Sequence, residues 1–174
     1  MSREALFAAL RQICGSDALA LDAAALEQAR HDVHESGGAP IAVLSPPDSA
    51  ALGGAVAAIT GHGVAVVPRG GGLSYTGGYV LPEGGAVLID LSRMNRVVAI
   101  DADSMTVTVE AGATWKAIDQ ALAQRGLRLP FFGTFSGAGA TVGGGLSHGA
   151  LFFGSARHGS AADIVLSMDV VLAD

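Results

Sequence analysis

Cysteine is nearly absent. Cys14 stands alone in 174 residues, so no disulfide can form within the chain, and its helical surroundings favour a packed thiol over a nucleophile. Positive charge is scarce as well. Ten Lys plus Arg, nine of them arginine and all scattered, face sixteen Asp plus Glu for a formal net charge of −6. No basic stripe exists to neutralise successive phosphates, which excludes nucleic acid as a partner. No apolar run reaches the roughly 18 residues of a membrane span. The best stretch, 52–67, is broken by Thr60, Gly61, His62 and Gly63, so no membrane span is expected. Arg3, Glu4 and Arg11 around a short apolar segment do not make a secretory signal, and the expected location is cytoplasmic. Two nucleotide motifs are also missing: there is no GxxxxGK[ST], and no G-x-G pair is followed by the third glycine of GxGxxG. A P-loop ATPase and a Rossmann dinucleotide fold are thereby excluded.

What remains is a globular chain, half hydrophobic, with enough length for one cored domain or two small lobes. Residues 3–13 and 22–31 read as amphipathic helices, the second capped by Asp22. Residues 41–44 read as a strand, Asp48 and Ser49 cap an alanine-rich helix to about Thr60, and 64–67 is a second strand that completes a β-α-β unit. Strands follow at 86–91, 97–100 and 105–109, the last two as a hairpin around Asp101 to Ser104. A helix over 115–124 is stopped by Gly126, and 163–172 reads as a closing strand of period two. Any domain boundary belongs in the glycine-rich turn at 78–85.

Glycine carries the most information. Of 25 glycines, 18 lie in 61–85 or 133–159. Such density costs backbone entropy and marks places where the main chain takes positive φ or approaches another group closely. The first cluster, Arg69-Gly70-Gly71-Gly72-Leu73-Ser74-Tyr75-Thr76-Gly77-Gly78, follows a strand. There, successive N–H groups can turn inward as an anion nest, with Ser74 adding a hydroxyl and Arg69 a charge. A simple tight turn is the plainer reading, although one or two glycines would suffice for it. From the residues alone three classes stay open: the part of an enzyme that holds a phosphate-bearing cofactor, a nucleotide binder without activity of its own, and an inert fragment whose loops are turns.

The order of motifs resembles the FAD-binding domain of the vanillyl-alcohol oxidase/p-cresol methylhydroxylase family, the PCMH-type domain. The resemblance runs from the unit at 41–67 through Pro68 to Gly78, then 88–96, 107–112, Gly139 to Gly145, Arg157 to Asp163 and 170–174. It implies an α+β fold with a small parallel β-α-β lobe, a second mixed or antiparallel sheet lobe with helices, and FAD between them. Residues 1–35 would be an N-terminal helical segment and 36–174 the FAD-binding domain. The domain would be truncated at its C-terminus, with the substrate domain absent, supplied by a missing C-terminal part or a partner subunit that brings a small-molecule substrate.

The resemblance assigns the FAD pyrophosphate to Pro68, Arg69, Gly70, Gly71, Gly72, Leu73, Ser74 and Gly77. It assigns the ribityl chain and isoalloxazine ring to Thr141, Val142, Gly143, Gly144, Ser147, His148 and Gly149. Related berberine-bridge enzymes attach flavin through a histidine and a cysteine where this chain has Leu73 and Ser147, which implies non-covalent FAD. The segments 90–95 and 168–174 look like the glycolate and D-lactate dehydrogenase branch. The implied reaction is therefore removal of a hydride from a CH–OH substrate, a 2-hydroxy acid being the first choice. No catalytic residue is assigned.

Other residues have plainer uses. His148 either faces the flavin or is a solvated turn residue. His31 and His34 fit a hydrated helix end better than a metal site, and no metal is expected. Tyr75 and Tyr79 are expected to pack under the first loop, and Asp163 to tie backbone amides before the last strand.

Overall fold

The structure, a computed structural model, describes residues 2–131 and 135–173, with residues 135 and 136 as backbone. Two units emerge, Met1–Arg93 with Val170–Asp174, and Met94–Asp169. The division falls at Arg93 and not in the turn at 78–85, because the strand after that turn still belongs to the first sheet.

In the first unit, helix α1 (Arg3–Cys14) is capped by Ser2, whose Oγ accepts the Ala5 N–H at 3.3 Å, and buries Leu6, Leu10 and Cys14 at four-residue spacing. Helix α2 (Ala23–Ala29) starts at Asp22 as expected, and α3 (Ser49–Gly61) starts at Asp48, which accepts the Ala51 N–H at 2.8 Å. The sheet is ordered β1 (Leu19–Ala20), β2 (Ala42–Leu44), β4 (Val87–Asp90), β3 (Val66–Arg69). β2 and β3 both run parallel to β4, and Val43 and Val67 both stand opposite Leu88. The β2-α3-β3 unit is therefore present in sequence, but β4 is inserted between its strands. Val87, Leu88 and Ile89 are at most 2% exposed, so the most continuously apolar strand takes the centre, buried on both faces. Leu6, Leu10, Leu44, Ile59 and Val87 form the core of this unit.

In the second unit, β5 (Val97–Asp101) and β6 (Thr106–Val109) form the expected antiparallel hairpin, with Asp101 Oδ1 accepting the N–H of Asp103 and Ser104 in the turn. Arg96 Nη2 donates to Glu110 at 2.6 Å and closes the open end. Helix α4 (Trp115–Ala123) is capped by Thr114 and followed by Gly126 at φ +70°. Its Ile118 and Leu122 pack on Val107 and Val109. Trp115, Phe131 and Phe152 form a second cluster with edge-on and stacked rings 4.9–5.8 Å apart. Two short helices, α5 (Val142–Ser147) and α6 (Ser155–His158), occupy the second glycine cluster.

The expected strand at 163–172 is not formed. Asp163 and Ile164 belong to a 3-10 turn, Ala161–Ile164, and the residues after it pair with no strand among those described. Leu166, Met168, Val170 and Leu172 are 62–83% exposed. A period-two pattern becomes a strand only when a neighbour accepts its backbone hydrogen bonds.

Candidate cofactor site

β3 delivers Pro68 and Arg69 directly into the first glycine loop. Among the described residues, no acceptor takes the N–H of Gly70, Gly71, Gly72, Leu73 or Ser74. Backbone donors left unpaired after a strand are available to an anion. The Ser74 hydroxyl is partly committed: its oxygen accepts from the N–H of Thr76 and Gly78 at 3.3 and 3.4 Å and lies 3.2 Å from Thr76 Oγ1. Tyr79 packs under the loop as expected, only 6% exposed, whereas Tyr75 is 72% exposed and does not.

The loop is tied from outside by a residue the sequence did not single out. Asp32 Oδ2 accepts the Gly77 N–H at 2.8 Å while Oδ1 accepts those of His34 and Glu35 at 2.7 and 2.6 Å. The Val33 N–H also donates to the Ser74 carbonyl at 3.0 Å. The Glu35 N–H above all, with those of His34 and Gly77, holds the Asp32 carboxyl below the usual carboxylate range. The only local signal was an aspartate placed to accept N–H groups two and three residues on, a common turn device that says nothing of Gly77. His31 pairs with Ser36 Oγ and Glu27 Oε1, and no group of His, Cys, Asp or Glu among the described residues could hold a metal ion.

The second cluster is built the other way. Its amides are consumed: Val142 N–H donates to Ala113 O at 2.9 Å, Gly143 to Ala111 O at 2.8 Å, Gly144 to Thr141 Oγ1 at 3.3 Å and Gly145 to Thr141 O at 2.9 Å. Thr141, 3% exposed, is the cap of α5. The glycines here allow close approach. A Cβ on Gly143 would lie 3.0 Å from both Cβ and O of Ala111, and one on Gly145 would lie 2.9–3.2 Å from the Trp115 indole. Ala111 and Trp115, which the sequence reading did not connect to this cluster, therefore shape it. Ser147 Oγ donates to Gly143 O at 2.8 Å. His148 is the exposed C-cap of α5. Gly149 follows at φ +60°. Gly133, also in this cluster, lies outside the described residues.

The second unit also has a concavity of about 360 Å³ lined by Asp119, Arg128, Phe131, Phe153, Arg157 and His158 among others, and none of the expected cofactor residues lines it. Chemically, the first loop can hold an anion through main-chain donors, and the second cluster can offer a surface of bare backbone. The first of these features fits the phosphates of a bound cofactor.

Comparison with known proteins points to the same group. The model of a family described as FAD binding domain matches residues 40–174. The chain is 32% identical over 143 residues to the mitochondrial D-lactate dehydrogenase [cytochrome] of Arabidopsis thaliana, covering 82% of this chain and 24% of that protein. It is 36% identical over 135 residues to the xylooligosaccharide oxidase of Thermothelomyces thermophilus, covering 78% of this chain and 27% of that protein. Among solved structures, alkyldihydroxyacetonephosphate synthase superposes with a TM-score of 0.90 at 22% identity over 99% of this chain and 37% of that one. p-Cresol methylhydroxylase does so with 0.73 at 19% identity over 85% and 30%. At those identities the two structures speak for the fold alone. The chain spans about a quarter of the length of these relatives. No helix among the described residues is long and apolar enough to cross a membrane.

Proposed function

We propose, taking as premise that this chain belongs to the FAD binding domain family, that it is the cofactor-holding portion of a flavin-dependent oxidoreductase acting on a CH–OH group. The observation that carries the reading is the run of five uncommitted N–H groups from Gly70 to Ser74 at the end of β3. Bound FAD would supply the two-electron chemistry, accepting a hydride from the substrate carbon. The chain's own residues bind and orient it. Arg69 to Ser74 would hold the pyrophosphate through main-chain donors, which supply positive potential although the protein is acidic. Pro68 and Gly77 set the two ends of that loop.

Thr141, Val142, Gly143 and Gly144 would back the ribityl chain and ring, with Ser147, His148 and Gly149 at the exposed end of the same turn. With leucine at 73 and serine at 147, attachment would be non-covalent. Residues 1–35 are taken as an N-terminal segment and 36–174 as the domain itself. The relatives' names cover a 2-hydroxy acid and a sugar oligomer, which share the CH–OH donor. The segments 90–95 and 168–174 favour the hydroxy acid, bound through a further domain or subunit.

The test is the visible spectrum of the purified chain after incubation with FAD and gel filtration. A retained flavin band, released into the supernatant on acid precipitation, is the expected result. A chain folded by circular dichroism that retains no flavin overturns the proposal.

A further inference from the structure

At the end of β3 the Arg69 side chain folds back under its own loop. Its Cζ lies 5.2 Å from the centroid of the Tyr79 ring. A Cβ on Gly72 would stand 2.5 Å from Arg69 Nη2 and 2.9 Å from Nε, so the guanidinium lies directly against bare backbone. The Tyr79 hydroxyl donates to the Gly72 carbonyl at 2.9 Å, and Gly72 sits at φ +68°. Arg69 Nε is buried with no acceptor among the described residues. Burial also pushes the Tyr79 phenol above its ordinary value, so it remains a proton donor at neutral pH.

We propose that Arg69 and Tyr79 form a latch that sets the turn at Gly72, and that the Arg69 side chain positions the loop for the dinucleotide pyrophosphate without itself touching that group. The inference rests on the FAD reading above. Gly72 is the middle of the five uncommitted donors, so fixing its peptide aligns the N–H groups on either side. A loop with three consecutive glycines would otherwise sample many conformations, and ordering it would weaken binding. The latch needs a planar cation that can lie on a ring while touching backbone, which a lysine ammonium cannot supply.

The experiment compares the parent chain with Arg69→Lys, Tyr79→Phe and the double variant, reading FAD and ADP affinity, thermal midpoint and backbone heteronuclear NOEs of Gly71 to Leu73. Each single variant should weaken FAD and ADP in parallel, by about tenfold, with lowered NOEs and a midpoint lowered by only about 2–4 °C. The double variant should be no weaker than the worse single one, because the two residues act as a unit. Parent-like affinity in Arg69→Lys would mean a charge ligand and overturn the latch, as would additive losses. If the parent binds no FAD, the FAD reading falls by itself and the NOEs decide the latch: unchanged values in both single variants overturn it.

Discussion

The two glycine clusters look alike in sequence and work in opposite ways. In the first, Gly70 to Ser74 keep their N–H groups uncommitted, and the loop is held by side chains at its edges, Tyr79 on the Gly72 carbonyl and Asp32 on the Gly77 amide. In the second, the amides of Val142 to Gly145 are bonded within their own unit, and Gly143 and Gly145 are glycines because Ala111 and Trp115 leave no room for a Cβ. One cluster leaves its backbone donors free and the other lets backbone and indole approach. Glycine density marks where the chain must do something unusual, and hydrogen-bond accounting says which of the two it does.

This contrast has a direct test in substitutions that should divide cleanly between stability and binding. The largest effect is expected at Gly143→Val, whose Cβ meets the Ala111 backbone, a neighbour that cannot swing away. A loss of about 3 kcal/mol of stability should appear in a urea melt. Full stability with lost FAD affinity would mean that the second cluster is a ligand surface first and a packing device second. Gly71→Val should do the reverse. Exposed in the first loop, it should leave the melt unchanged while weakening FAD by about 2 kcal/mol, roughly thirtyfold, by closing the nest. Equal FAD affinity in a folded Gly71→Val variant would remove the first loop from the site.

A finer cut is Thr141→Val. It keeps shape but removes the Oγ1 that accepts the Gly144 N–H, and about 1 kcal/mol should be lost. A change in flavin affinity without that loss would shift Thr141 from capping to contact.

The sequence revealed local features well and distant ones poorly. Asp22 and Asp48 announced their helices, Gly126 ended α4, and the hairpin showed its period, because each depends on neighbours within a few positions. The placement of β4 between β2 and β3 was hidden, since the β-α-β pattern reads the same with or without an inserted strand. Helix α5 was hidden because three glycines argue against a helix, and only the Thr141 cap with the Ala111 and Trp115 contacts overrides that propensity. The alternation at 163–172 misled for the opposite reason: the pattern is present, and no strand among the described residues pairs with it. At the site, the loops were legible as loops, while the tie from Asp32 to Gly77 crosses 45 positions and left no mark.

The smallest effect separates the clusters by acid. Asp32 and Asp163 both have carboxyls held below their ordinary range, Asp32 chiefly by the Glu35 N–H and Asp163 chiefly by the Ser160 hydroxyl. A carboxyl lowered on folding contributes its stabilisation above the ordinary value, about 3.9, and loses it as pH falls through the lower folded value. Both ties are therefore intact at neutral pH and both loosen in acid. They differ in reach: Asp163 closes a turn three residues long, whereas Asp32 joins the first loop to the segment after α2. Flavin affinity should fall as pH drops below about 4, and Asp32→Asn should weaken FAD severalfold at pH 7 and flatten that fall, because the amide accepts less strongly and does not titrate there. Asp163→Asn should leave it in place. An unchanged acid limb in Asp32→Asn would mean that the first loop holds its shape without the tie, through Tyr79, Arg69 and the Ser74 hydroxyl.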